Sequence, residues 1–157
     1  MDADGNSPLA HEIETWNEAG TSYVWVKVPQ IDSASNNDYI WIYYNNSTAS
    51  DGQQRTNVWS NSYVGVWHLG ESSGTNIADS TGVYNGLKNS STKPSATSSG
   101  KIGNAQAWTN TTDEFVNMGD VLDFERNQAF SISAWIKPTL ADPTDVDAIV
   151  GKLTCAG

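Results

Sequence analysis

The chain has 157 residues, and 18 Asp and Glu residues against 8 Lys and Arg residues give a formal net charge of −10. Such a surface repels phosphate backbones and anionic lipid headgroups, which argues against nucleic acid as a partner and against membrane binding by charge. No apolar run approaches the ~18 residues that a bilayer-spanning helix needs, so no membrane insertion is expected. The length allows one full-sized domain or two small or incomplete ones.

The composition favours β-sheet structure. Seven Trp and six Tyr are a heavy aromatic load for this length, and aromatic side chains pack well on pleated faces while Ser, Thr, Asn and Gly make turns. Few charges and many small polar residues are also common in secreted proteins. We therefore expect a secreted or cell-surface protein whose signal peptide lies outside this sequence, because Met1 leads straight into polar residues. Cys155 is the single cysteine, so no intrachain disulfide can form.

Three strands are predicted in the first third of the chain. Residues 9–16 alternate, with Glu12, Glu14 and Trp16 on one face. Residues 22–29 form the clearest strand, which Pro29 ends because proline lacks a backbone donor. Residues 38–45 alternate with bulky side chains on both faces, so at least one face is expected to pack against another sheet.

Further strands are predicted after a linker at residues 58–63. They are expected at residues 64–69, 84–88, 114–118, 129–137 and 148–153. No helical periodicity of ten or more residues occurs along the chain. The sequence therefore predicts an all-β protein built from antiparallel sheets.

Several short motifs follow one another in a recognisable order. They are DSTG at 79–82, GKIGNA at 100–105 and FSISAWIK at 130–137, after VWHLGE at 66–71. In this order they resemble the concanavalin A-like, laminin-G-like jelly-roll domain of secreted prokaryotic proteins. The resemblance covers about residues 64–157 and implies an antiparallel β-sandwich of jelly-roll type.

The preceding segment resembles a second family. HEIETWNEAGTSYVWVKVPQI followed by IWIYYNN is similar to the C-terminal half of a domain of unknown function that precedes such jelly rolls in prokaryotic surface proteins. The expected organisation is part of a β-rich surface module at 1–57, a linker at 58–63, and the first part of a jelly roll at 64–157. Both resemblances are partial, so an incomplete or composite sandwich is expected. Its exposed sheet edges would favour a homodimer.

Glu12 and Glu14 are the candidate catalytic residues. Retaining glycosidases hold two carboxyl groups about 5 Å apart as nucleophile and acid, and laminarinase-type jelly-roll hydrolases carry Glu-x-Asp-x-(x)-Glu on one strand. Here the middle acid is Glu14, and the third, Glu18, lies beyond the next turn. The favoured interpretation is therefore a solvated strand face, with a small glycoside hydrolase as the alternative. His68 is interpreted as a partly buried histidine with satisfied hydrogen bonds.

Calcium is the one cofactor that the resemblance suggests, because jelly rolls of this type often hold it in loops between strands. Asp79, Asp113, Asp120 and Asp123 lie in such turns, and Asp79 and Asp120 are the preferred candidates.

Aromatic side chains are the candidates for ligand binding, because sugar rings stack on exposed Trp and Tyr faces. The candidates are Trp16, Trp25, Trp41, Tyr43, Trp59 and Trp108. Trp67 and Trp135 lie in the middle of predicted strands and are expected in the sheet core. The preferred function is a non-catalytic module that binds polysaccharide or glycan, or mediates adhesion. The glycoside hydrolase and a purely structural spacer are the alternatives.

Overall fold

Short antiparallel strands make up the ordered framework. The computed structural model describes residues 4–34, 36–109, 114–138 and 148–152. In these ranges the elements are β1 (His11–Thr15), β2 (Tyr23–Val26), α1 (Arg55–Val58), β3 (Asn76–Ile77), β4 (Gly86–Lys88), β5 (Ser95–Thr97), β6 (Ala105–Ala107) and β7 (Val116–Asn117). They form the sheets β1–β2, β3–β4–β7 and β5–β6, and every pairing is antiparallel. The all-β prediction is confirmed.

The β1–β2 hairpin forms where the alternating pattern predicts it. Asn17 closes the connecting turn, since its side-chain oxygen accepts from Ala19 N at 3.0 Å and its carbonyl accepts from Gly20 N at 3.2 Å. The register pairs Glu12 with Trp25, and it shifts between Ile13 and Thr15. Such a bulge re-aims the side chains around it, here including Glu14.

The two remaining sheets are small. β4 and β7 lie within the segments 84–88 and 114–118, where strands are predicted. β3 and β5 have only two and three residues, too few to show an alternating pattern in the sequence. Ile77 of β3 is completely buried and is one of the few apolar side chains in the interior of the described residues.

Four predicted strands are absent. Residues 38–45, 64–69 and 129–137 belong to no sheet. Residues 148–152 of the segment predicted at 148–153 form no strand either, whereas residue 153 lies outside the described ranges. An alternating pattern fixes which side chains share a face, but a strand also needs a partner that pairs with its backbone groups. Trp135, expected in the core, is instead 75% exposed, with Lys101 Nζ 5.5 Å from its ring centroid.

Polar side chains occupy much of the interior. Of the described residues, the buried apolar side chains are Val58, Ile77 and Pro94, and the buried polar ones are Glu12, Asp79, Ser80, Lys88 and Gln106. Buried polar groups stabilise a fold only when their hydrogen bonds are made. The hydrogen bonds of these side chains therefore decide how the segments fit together.

Candidate functional site

Glu12 is a buried carboxylate, although it lies on a two-stranded hairpin. Its side chain accepts hydrogen bonds on both oxygens, with Trp59 Nε1 at 2.7 Å from Oε2 and Ser80 Oγ at 2.7 Å from Oε1. His68 Nε2 lies 3.2 Å from Oε2, and Arg55 Nε lies 3.7 Å from Oε1. The residue is only 4% exposed.

Glu14 contacts the other ring nitrogen of His68. His68 Nδ1 lies 3.0 Å from Glu14 Oε2, which also accepts from Trp25 Nε1 at 3.1 Å. Each ring nitrogen of His68 therefore faces a carboxylate. Both nitrogens can donate only when the ring is protonated, so this geometry favours the imidazolium.

Two indole rings enclose the imidazole. Trp25 stacks on His68 with centroids 5.5 Å apart and planes 27° apart, and Trp59 packs against it at 5.6 Å. Aromatic faces attract a cation at this separation, which adds to the preference for protonated His68. We call His68, Glu12, Glu14, Trp25 and Trp59 the His68 cluster.

The interpretation of Glu12 and Glu14 as a solvated strand face is wrong. Alternation correctly places both carboxylates on one side of β1, but the side chains that cover Glu12 come from residues 47 to 68 positions further along the chain. A local pattern contains no information about such distant partners. The interpretation of His68 is confirmed, because both its nitrogens have partners and its side chain is 19% exposed.

The cluster shifts two pKa values in opposite directions. Burial lowers the pKa of His68, but the hydrogen bonds and charges of Glu14 and Glu12 outweigh it, so the pKa is raised above 6.5. Burial raises the pKa of Glu14, but hydrogen bonds from His68 and Trp25 outweigh it, so this pKa is lowered below 4.5. Each shift shows that the charged form is favoured in the folded protein.

We expect the free energy of unfolding to decrease as the pH rises above 6.5. Because the pKa of His68 is raised on folding, its contribution is fully present below the unfolded value of 6.5 and is lost as the pH rises through the folded value. The contribution of Glu14, whose pKa is lowered, is present above 4.5 and is lost as the pH falls through the folded value. Urea unfolding between about pH 3 and pH 9 measures both contributions.

A His68→Gln variant tests the assignment, because it removes the titrating ring and leaves the carboxylates in place. Its stability should lose most of the decrease above pH 6.5. His11→Gln is the matched control, since in the described part of the chain the His11 ring has one hydrogen-bond partner, the carbonyl of Leu9 at 3.2 Å from Nδ1. The pH profile of this variant should follow the wild type. An unchanged profile in His68→Gln would contradict the assignment.

The predicted ligand-binding aromatics fall into three groups. Trp25 and Trp59 contact each other edge to face at 5.2 Å, and their N–H groups and faces are used within the His68 cluster. Trp41 and Tyr43 are exposed and lie side by side against Gly5. Trp16 and Trp108 are also exposed, and in the described part of the chain no ring contact joins either of them to another aromatic side chain.

Asp79 does not fit a calcium ligand. Its Oδ1 accepts from the backbone N–H groups of Val66 at 2.8 Å and Thr81 at 2.9 Å. Its Oδ2 accepts from Thr81 Oγ1 at 2.5 Å and from the N–H groups of Val83 at 3.2 Å and Tyr84 at 2.9 Å. These donors occupy the lone pairs that a cation would need. Asp79 instead fixes the DSTG turn to the segment before it.

Asp120, the second calcium candidate, is exposed and lies 3.6 Å from Lys152 Nζ in an ion pair. Asp113 lies outside the described residues. Within the described ranges, no group of three or more His, Cys, Asp or Glu side chains is arranged to hold a metal ion. Calcium at Asp79 and Asp120 has no geometric support.

Hydrogen bonds tie the first part of the chain to the segment after the predicted linker. Ser80 and His68 bond to Glu12 of β1, and Trp59, within the predicted linker at 58–63, bonds to it as well. Sequence reasoning missed Ser80, which had no signal beyond its place in a turn motif. The predicted division at 58–63 remains a prediction, but the His68 cluster includes residues from both sides of it.

A family model described as Domain of unknown function (DUF2341) matches residues 1–111. The match runs through residues 58–63 and includes the whole His68 cluster together with β1 to β6. Comparison with curated proteins and with solved structures gives no match.

Proposed function

Because the chain belongs to the family described as Domain of unknown function (DUF2341), a description that assigns no activity, we propose a function from its geometry: a non-catalytic module that binds neutral glycan. The observation that carries the proposal is a row of exposed aromatic side chains at Tyr39, Trp41 and Tyr43, each about half exposed or more. Exposed rings of this kind are the usual platform for sugar rings.

The row is held together by contacts. Tyr39 and Trp41 meet edge to face with centroids 5.4 Å apart. Tyr43 donates to the carbonyl of Gly5 at 3.3 Å, and a side chain at Gly5 would lie 3.3 Å from Tyr43 Oη and 3.7 Å from Trp41 Cδ1. Gly5 has φ +71°, a conformation that favours glycine. The backbone of Gly5 therefore packs against Trp41 and Tyr43, two of the three side chains in the row.

The turn that contains Gly5 is stabilised by hydrogen bonds to the side chain of Asp4. Asp4 Oδ1 accepts from the N–H groups of Asn6 and Ser7 at 2.8 Å each, and its Oδ2 accepts from Ser7 Oγ at 2.6 Å. These bonds lower the pKa of Asp4 to about 2, so the turn keeps its charged acceptor over the working pH range. A preorganised platform reduces the entropy lost on binding.

The His68 cluster supports a non-catalytic role. A glycosidase needs one carboxyl group free to donate a proton and one free to attack or to activate water. Here His68 lies between the two carboxylates and bonds to both, and Glu12 is also bonded to Trp59 and Ser80. The cluster is arranged to hold the hairpin against later segments.

The net negative charge of the protein disfavours anionic glycans. A net charge of −10 repels uronic acid and sulfated polymers, so the proposal is for neutral polysaccharide. No helix in the described part of the chain has both the length and the apolar character to cross a bilayer. We propose an exported or cell-surface setting, where such polymers are encountered, and a jelly-roll arrangement for the later residues on the strength of the motif resemblance alone.

Affinity electrophoresis on neutral β-glucan, mannan and an anionic polysaccharide tests the proposal. The wild type should be retarded on at least one neutral polymer, and a Trp41→Ala/Tyr43→Ala variant should bind about tenfold more weakly, equivalent to ~1.4 kcal/mol. Trp135→Ala is the matched control, because it removes another exposed ring far along the chain, and its binding should equal that of the wild type.

Further measurements distinguish glycan binding from the glycoside hydrolase and the structural spacer. Release of reducing ends from the same polymers would contradict a non-catalytic role, and absence of binding to every polymer would favour a structural spacer. Sedimentation at the assay concentrations shows whether self-association contributes through the segments 37–46 and 127–138, which belong to no sheet, as the proposed homodimer requires. A stable monomer at high concentration would exclude the dimer and leave glycan binding intact.

A further inference from the structure

Two buried oxygen atoms lack a hydrogen-bond donor. They are Glu71 Oε2 and Gln106 Oε1. A buried acceptor without a partner loses the hydration that it has in the unfolded chain, so native structures contain few of them and each one requires an explanation.

The two residues lie at the same place in the fold. Gln106 of β6 is 6% exposed, and its Nε2 donates to the carbonyls of Leu69 at 3.1 Å and of Glu71 at 2.9 Å. These two carbonyls fix the orientation of the amide, because an amide oxygen in that position would face two other acceptors. The Oε1 atom therefore cannot exchange places with Nε2 to find a donor.

Glu71 differs from Glu12 and Glu14 in having no cation beside it. Its Oε1 accepts one bond, from Ala78 N at 2.8 Å. Glu12 and Glu14 both face His68, whereas no Lys, Arg or His side chain within the described ranges forms an ion pair with Glu71. A buried negative charge with a single N–H donor needs a positive partner.

A second carboxylate borders the same turn. A side chain added at Gly70 would lie 3.2 Å from Glu14 Oε1, and one added at Gly103 would lie 3.6 Å from it. Glu14 Oε1 therefore lies close to the backbone of residue 70, which is next to Glu71 in the chain.

We propose that Glu71 Oε2 and Gln106 Oε1 ligate a hard divalent cation of the calcium type. Carboxylate and amide oxygens are the ligands that such ions select, and water or main-chain oxygens commonly complete the coordination. A water molecule could donate to both atoms, but it would leave the charge of Glu71 uncompensated. The site differs from the one predicted at Asp79 and Asp120, and it does not depend on glycan binding.

Thermal unfolding of chelator-treated protein tests the site. Addition of Ca²⁺ to well above its dissociation constant should raise Tm by about 5 °C or more, because the ion binds only the folded chain. Isothermal titration should give one site. Glu71→Gln keeps the shape of the side chain but removes its charge, and it should abolish most of the Tm shift. Asp120→Asn is the matched control and should keep the full shift.

A gain-of-affinity variant separates a cation from a buried water. Gln106→Glu adds a second carboxylate, so it should bind Ca²⁺ about tenfold more tightly and depend more on the ion for stability. If the two atoms hold only water, the same variant should be destabilised with or without Ca²⁺. The proposal is overturned if neither Ca²⁺ nor Mg²⁺ changes the wild-type Tm, or if Glu71→Gln responds as the wild type does.

Discussion

Replacement of Glu12 by alanine is expected to lower the free energy of unfolding by about 3–5 kcal/mol, because it removes one side of a buried charged network. The variant leaves Trp59 Nε1 and Ser80 Oγ without their acceptor in a buried environment. It also removes one of the two carboxylates that hold His68. Urea unfolding at pH 6, where His68 is protonated, measures the difference.

A matched control exists on the same hairpin. Glu18 is exposed in the turn that follows β1, so Glu18→Ala should change stability by no more than about 0.5 kcal/mol. The double variant Glu12→Ala/Ser80→Ala should be less destabilised than the sum of the single variants, since both changes remove the same bond. A Glu12→Ala protein as stable as Glu18→Ala would show that the His68 cluster does not hold the hairpin in place.

Replacement of Asp79 by alanine is expected to have an effect of similar size, about 3–4 kcal/mol, because charged hydrogen bonds are strong and their loss leaves buried donors unpaired. The carboxylate accepts from Val66 N on one oxygen and from Tyr84 N on the other. Without it, the DSTG turn loses the carboxylate's hydrogen bonds to both neighbouring segments. Denaturant unfolding at pH 7 is the measurement.

An isosteric change separates charge from shape at this position. Asp79→Asn keeps the volume but turns an NH₂ group towards N–H donors, so it should also be destabilised, by about 2 kcal/mol. Asp120→Ala, which breaks only an exposed ion pair with Lys152, should remain within about 0.5 kcal/mol of the wild type. Asp79→Asn could instead leave the free energy of unfolding unchanged while calcium raised it. The conclusion that hydrogen-bond donors occupy both carboxylate oxygens of Asp79 would then be wrong.

The His68 cluster shows how far sequence reasoning could reach. Alternation along residues 9–16 places Glu12 and Glu14 on one face, and this is correct because side chains two apart in a strand share a side. The same pattern could not show that the face is covered, because Trp59, His68 and Ser80 come from distant segments. Two of the predicted sugar platforms, Trp25 and Trp59, are for the same reason part of a polar interior.

The segments 38–45 and 129–137 show the opposite error. Residues 38–45 have bulky side chains on both faces and residues 129–137 have an apolar face, yet neither segment belongs to a sheet. The reason is that pairing depends on which backbone lies alongside. The exposure of Tyr43 and Trp135 follows from this. The cation site proposed at Glu71 and Gln106 had no sequence signal at all, since a single Glu and a single Gln 35 residues apart match no ligand spacing.

The sequence by itself determined the β class, the place of the first hairpin and the acidic surface. These properties depend on local patterns and on composition: alternation, the Asn17 turn and the excess of carboxylates. The tertiary structure alone decided which carboxylates are buried, which cation faces them and which aromatic rings remain exposed. Such properties depend on contacts between residues far apart in the chain, where hydrogen-bond partners and electrostatic fields are set by packing.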